Sequence, residues 1–189
     1  IPNGIDCDTF APHFPDERPV DPPLAMTACR FDPAKNIDLL VRAAAMLRDR
    51  GRPWRVDVCG GGGVEADLTR MASELKLGDL VRFPGWIDTQ AMPERYARAQ
   101  AFVLPSRYEG MSNALLEAMA AGATPVVNNY PGVAALVEHG RTGMIMQAET
   151  AAELADLLDK LASLPDTGRS LGRAAREHVR ENYAWERTA

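Results

Sequence analysis

This 189-residue chain is poor in several features, and each shortage removes a class of protein. No apolar stretch approaches the ~18 residues of a membrane-spanning helix, so no segment reads as a span. Only three cysteines occur, Cys7, Cys29 and Cys59, an odd and scattered set. They argue against a disulfide scaffold and fit a reduced, cytosolic compartment. There is no basic run. The 21 Lys and Arg are outnumbered by 26 Asp and Glu, and the net charge of −5 is the wrong sign for a general nucleic-acid binder. No internal repeat stands out. There is no initiator Met, so Ile1 reads as a start in mid-chain and the missing signal peptide says nothing about targeting.

What is present is a regular alternation on a length that suits one domain with a sizeable core. Residues 24–29, 54–59, 80–83, 101–104, 124–128 and 143–147 read as short strands. Helical periods lie over 36–50, 64–77, 88–99, 112–121, 133–138, 150–164 and 167–182. In 36–50, for example, Leu39, Leu40, Ala43, Ala44 and Leu47 share one face. Strands alternating with helices predict an α/β fold, a Rossmann-like doubly wound sheet of about six parallel strands with helices on both faces. Residues 1–23, rich in Pro and Asp and without a period, read as a linker rather than a folded element.

The helix from Ser112 is apolar on nearly every side, through Ala114, Leu115, Leu116, Ala118, Met119 and Ala120, which predicts a buried helix. Glu117 sits in its middle, where a carboxylate is costly unless a polar group meets it. Glu109 lies eight residues earlier, in the loop that feeds the helix. The helix start near Met111, Ser112 and Asn113 is suited to an anion. In such sheets ligands sit at the carboxyl ends of the strands. Arg30 and Lys35 follow the first predicted strand, Gly60 to Gly63 the second, Arg82 to Trp86 close the third, and Ser106 to Asn113 follow the fourth. Two cations, a glycine run, two acids and a helix start on one edge predict a site for a phosphorylated ligand. The glycine run does not meet G-x-G-x-x-G, because Glu65 takes the last glycine position, which disfavours a nicotinamide site. A flexible strand-to-helix turn explains the run as well as close ligand approach does.

These residues together resemble the C-terminal, donor-binding domain of a family 4 glycosyltransferase of the two-Rossmann-domain GT-B architecture. The resemblance rests on 1–6 as the interdomain segment, Arg30 with Lys35-Asn36, Val81-x-Phe83-x-Gly85, and Pro105-Ser106 with the E-x7-E pair Glu109 and Glu117. Gly122, Pro125-Val126-Val127, Gly143, Tyr183 and Trp185 continue it. It implies retaining, metal-independent sugar transfer from a nucleotide-diphosphate donor to a glycan or lipid-linked acceptor. By the resemblance Arg30, Lys35 and Glu109 are catalytic. Arg30 and Lys35 stabilise the leaving diphosphate, and Glu109 contacts the donor sugar. Glu117 binds the ribose, the N–H groups of Met111, Ser112 and Asn113 hold the phosphates, Gly60 and Gly61 border the ligand, and the base lies beside Arg82 and Phe83. The stretch 109–120 is similar to that of bacterial surface-polysaccharide transferases, which favours UDP-hexose or UDP-N-acetylhexosamine, with GDP-mannose as the leading substitute. No cofactor or metal is implied. The location is cytoplasmic, with peripheral membrane contact left open for the full-length protein.

Blander readings exist for each residue. Arg30 and Lys35 serve equally as solvated charges beside a turn, Glu109 as a charge near a helix start, and Glu117 as the partner of a core Arg or Tyr. Ser112 or Asn113 caps the helix in any case. His13, His139 and His178 read as structural, and Met111, Met119, Met144 and Met146 as filling. The chain departs from the family at Cys29, Val64 and Ala134-Ala135, where glycine, proline and a Pro-Glu pair are frequent. The half that would carry the acceptor site precedes Ile1, so the isolated domain is expected to bind donor without transferring it. A noncatalytic nucleotide-binding or interaction module is the alternative, and the motifs of a nonhydrolysing epimerase are missing.

Overall fold

The computed structural model describes residues 4–10 and 21–185. In chain order the elements are α1 (Cys7–Phe10), β1 (Leu24–Arg30), α2 (Asp38–Asp49), β2 (Arg55–Gly61), α3 (Glu65–Glu74), β3 (Val81–Gly85), α4 (Met92–Arg98), β4 (Ala101–Leu104), α5 (Asn113–Ala120), β5 (Thr124–Asn128), β6 (Met144–Met146), α6 (Ala151–Ser163) and α7 (Pro165–Asn182). All six strands are parallel and lie in the order β3-β2-β1-β4-β5-β6. This is the doubly wound Rossmann-like order that the alternation predicted. The stretch read as a short helix over 133–138 is a single 3-10 turn, Val133–Ala135.

The sheet is buried on both faces, as a parallel sheet must be. Along β4 the side chains alternate between two cores. Ala101 and Val103 join the core of α2, α3 and α6, with Leu40, Leu47, Leu68 and Leu158. Phe102 and Leu104 join the core of α4, α5 and α7, with Tyr96, Leu115, Met119 and Val179. The period of two in a strand thus distributes one apolar run to opposite sides. At ~25 cal/mol per Å² of apolar surface, such two-sided burial is the main stabilising term.

The reading of 1–23 as an unfolded linker needs correction in its described part. Ile5 forms a parallel bridge with Ala184, its N–H bonded to the Tyr183 carbonyl at 2.8 Å. Phe10 is buried, with its ring 6.2 Å from that of Tyr96. Two apolar side chains, Ile5 and Phe10, outweigh the Pro/Asp composition around them and dock 4–10 on the α4–α5 face. Residues 1–3 and 11–20 of the predicted linker, and residues 186–189, lie outside the described residues.

Candidate functional site

β1 and β4 are neighbours, yet the helices that follow them cover opposite faces, α2 one core and α5 the other. Their carboxyl ends therefore frame the crevice where a doubly wound sheet binds ligands. Lys35 comes from the β1 side, at the end of a 3-10 turn, Pro33–Lys35, capped by Asp32 through the Ala34 N–H. Glu109 comes from the β4 side. The two meet across the crevice, Lys35 Nζ to Glu109 Oε1 at 2.8 Å, with side chains 19% and 10% exposed. Ser106, fully buried, donates its hydroxyl to the same oxygen at 2.7 Å. The Arg107 N–H donates to the Ala34 carbonyl at 2.9 Å. Glu149 accepts from Asn36 Nδ2 and Arg107 Nε, at 3.1 and 2.7 Å. The two loops are thus tied into one platform. Lys35 has three N–H donors, so its bond to Glu109 leaves it able to bind a further anion.

Arg30 ends β1 with its side chain 76% exposed and only a long contact, 3.5 Å, to Asp32. At the start of α5, Ser112 is the N-cap and accepts from the Leu115 N–H at 3.3 Å. Capping and a polar helix start here coincide, as the sequence predicted for Ser112. Asn113 is exposed, and Met111 half-buried.

Glu117 lies one turn further, half-buried, facing α4. The Tyr96 hydroxyl donates to its Oε2 at 3.0 Å. Burial pushes the Glu117 carboxyl above the usual range, and the Tyr96 bond offsets only part of that. The Tyr96 phenol is itself held well above its ordinary pKa, by burial first and by the Glu117 charge second, so it remains a donor. Glu117 opens onto a cavity of ≈ 270 Å³ lined also by Asp6, Thr9, Thr89, Asn113 and Trp185. The core-tyrosine reading of Glu117 therefore holds, and the carboxylate still opens onto this cavity, whose wall is mostly apolar and includes Ile5, Phe10 and Leu116.

Two predicted site residues change character. Gly60 and Gly61 belong to β2, paired with Cys29 and Arg30. A Cβ at Gly60, where φ is +122°, would stand 1.9 Å from the Cys29 carbonyl oxygen. The glycine there is required by strand-to-strand approach, which accounts for it without a ligand. At Gly61 a Cβ would meet the Trp86 indole nitrogen at 3.1 Å, so the exposed Trp86 lies over the end of β2.

Arg82 and Phe83 are not brought to the crevice. Arg82 is the second residue of β3, opposite Asp57, and lines a hollow with Leu24 and Arg55, the first residues of β1 and β2. It therefore stands on the amino edge of the sheet, opposite Arg30. β3 begins a residue later and runs two further than expected, to Gly85. Phe83 packs its ring against Phe31 at 6.5 Å, nearly perpendicular. Half-buried, it packs against the core beside the turn after Arg30.

Sequence reasoning missed the parts played by Tyr96 and Ser106. Ser106 carried a signal, lying three residues before Glu109. Tyr96 carried none, because its place opposite Glu117 depends on how α4 packs on α5. The thiols of Cys29 and Cys59 are each pushed up to about 11, chiefly by burial, which makes them poor nucleophiles. Among the described residues, no group of three or more His, Cys, Asp or Glu could hold a metal ion, and no helix is long and apolar enough to cross a membrane.

Comparison with known proteins places this geometry in a family. Residues 10–178 match the family model of the glycosyl transferases group 1. The chain is 29% identical, over 100% of its length and 53% of the relative, to a GDP-mannose-dependent alpha-(1-6)-phosphatidylinositol monomannoside mannosyltransferase of Mycobacterium tuberculosis. It is 32% identical, over 100% of its length and 47% of the relative, to a D-inositol 3-phosphate glycosyltransferase of Pseudarthrobacter chlorophenolicus. The chain spans about half the length of these curated relatives. The C-terminal domain of a glycosyl transferase group 1 family protein (LpcC) from Francisella tularensis shares the fold, with a TM-score of 0.84 at 19% identity over 96% of this chain and 100% of that one. With nine-tenths of its residues inside the family model and a fold shared with a solved domain of that family, the chain belongs to the glycosyl transferases group 1.

Proposed function

We propose that this chain is the donor-binding part of a retaining, metal-independent hexosyltransferase and holds a nucleotide-diphosphate sugar in the β1–β4 crevice. The carrying observation is the Lys35–Glu109 pair across that crevice, with Glu117 and its cavity on α5, the helix that the Glu109 loop leads into. Arg30 and Lys35 take the diphosphate, assisted by the N–H groups of Met111, Ser112 and Asn113. The positive charge lowers the cost of the departing diphosphate. Glu117 accepts from the ribose hydroxyls, which gives its half-buried carboxylate a second partner. Glu109, held by Ser106, faces the sugar. The base lies near Trp86 rather than Arg82. The acceptor is a glycan or lipid-linked sugar, recognised by residues outside this chain, so the chain by itself binds without sustained transfer.

The stretch 109–120 favours a UDP-hexose or UDP-N-acetylhexosamine. GDP-mannose is the second reading, supported by the name of the mycobacterial relative. Calorimetry of the chain against UDP, GDP and ADP and their sugars tests both. Binding of one base, weakened ten- to a hundredfold in Glu117→Ala, is expected for loss of a charged hydrogen bond of ~1.5–3 kcal/mol. Binding of GDP alone would overturn the UDP reading. No binding of any nucleoside diphosphate would overturn the donor-site reading and favour a noncatalytic interaction module.

A further inference from the structure

Tyr130 is a polar residue that the crevice leaves without a task. It lies two residues past β5, its N–H bonded to the Asn128 carbonyl at 3.1 Å. Its side chain is 2% exposed and belongs to the core of Leu104 and Leu115, to which Met111 adds a half-buried edge. β5 pairs with β4, with Val127 opposite Leu104. The end of β5 therefore stands beside the loop that carries Ser106 and Glu109. The Tyr130 hydroxyl is buried and has no hydrogen-bond partner among the described residues. Such orphaned groups are rare because they are destabilising. Phenylalanine would fill the same space without that cost, so packing alone does not explain a tyrosine. Burial, and then the negative charge of Glu109, hold the phenol above its ordinary pKa. At neutral pH it is an unspent O–H donor in the field of the Glu109 carboxylate.

Glu109 Oε1 accepts from both Lys35 and Ser106. A diphosphate arriving in the crevice competes for Lys35. As Lys35 turns toward it, a carboxylate that is nine-tenths shielded from water loses its charged partner. We propose that Tyr130 is a positioning residue for Glu109, whose hydroxyl donates to the carboxylate when phosphate draws Lys35 away. The residue acts through Glu109 and does not touch the donor. This inference rests on the donor-site reading above.

The test is Tyr130→Phe in this chain, titrated calorimetrically with GDP, UDP, GDP-mannose and UDP-glucose, with thermal melting of the unliganded protein alongside. The expected result is a pair of opposite signs. The ligand that binds the wild type binds roughly tenfold more weakly, the value of one hydrogen bond to a charged group. The unliganded melting temperature stays the same or rises, because an unsatisfied buried hydroxyl has gone. Unchanged affinity with a raised melting temperature would show an idle orphan and overturn the proposal. A lowered melting temperature would show a structural role and overturn it too. A wild-type chain that binds none of the four ligands would instead sink the donor-site reading itself.

Discussion

Glu109 and Glu117 stand eight residues apart on either side of one helix start, and they occupy opposite electrostatic settings. The loop acid meets a cation and a hydroxyl, both on the same oxygen. The helix acid meets a phenol and is otherwise surrounded by core and a largely apolar cavity. Burial leaves Glu117 reluctant to ionise, whereas Lys35 gives Glu109 an opposite charge across the strand crossover. The difference separates two tasks. Without ligand, the neutralised acid is a strut that joins two loops. An under-compensated acid gains most from added donors, and ligand hydroxyls are such donors. The glycine-rich edge of β2 and the two acids also differ. The former is shaped by backbone contact, the latter by charge.

The largest expected effect comes from breaking the strut. Lys35→Ala leaves Glu109 buried with Ser106 alone. Removing one partner of a buried pair costs about 3–5 kcal/mol, and the residual exposure of both side chains puts this pair toward the lower end. Urea unfolding measures it. A loss under about 1 kcal/mol would show a pair that behaves like a surface bridge and would erase the contrast between the two acids.

Next is Tyr96→Phe, which strips Glu117 of its protein donor. A loss of about 1–3 kcal/mol is expected for a carboxyl left with no partner from the protein, read in the same unfolding experiment. A neutral result would mean that water from the adjoining cavity serves Glu117 as well as Tyr96 does.

The smallest effect is a slope. The folded-state pKa of Glu117 is raised, so the folded chain holds this proton more tightly than the unfolded one. The associated stability is present below the ordinary carboxylate pKa and is lost as pH rises through the raised value. Relative to Glu117→Gln, the wild type should therefore lose stability on going from acid pH across that window, then level off. Melting curves of both proteins from about pH 3 to pH 8 check the sign. A wild type that instead gains on Glu117→Gln with rising pH would place Glu117 in a charge-stabilised setting like that of Glu109.

Much of this was legible beforehand. The alternation predicted all six strands because parallel strands need both faces apolar and their helices need one, and those two periods differ visibly. β4 and β5 have the predicted bounds, each a short run closed at its far end by Pro105 or Asn129. Boundaries slipped where local chemistry was ambiguous. β2 extends into the glycine run because its neighbour β1 supplies hydrogen-bond partners as far as Arg30. The docking of Ile5 and Phe10 was hidden because two apolar residues in a Pro-rich stretch show no period. Arg30, Lys35 and Glu109 lie at or past the carboxyl ends of β1 and β4, and Ser112 and Glu117 stand on the helix that follows β4. Arg82 went astray because a strand shifted by one or two residues places the same side chain at the wrong end of a short element.

The sequence by itself determined the fold class, which follows from periodicity along the chain, and pointed to the family through the resemblance of its motifs. It also showed that Glu117 sits in an apolar helix and needs a polar partner. Which partner, and which residues meet at the crevice, was decided only in three dimensions. Lys35 and Glu109 are 74 residues apart in the chain, and Tyr96 and Glu117 are 21 apart on different helices. Contacts of that kind depend on the strand order and on how α4 lies against α5. No local pattern encodes them, because they are set by the packing of whole elements.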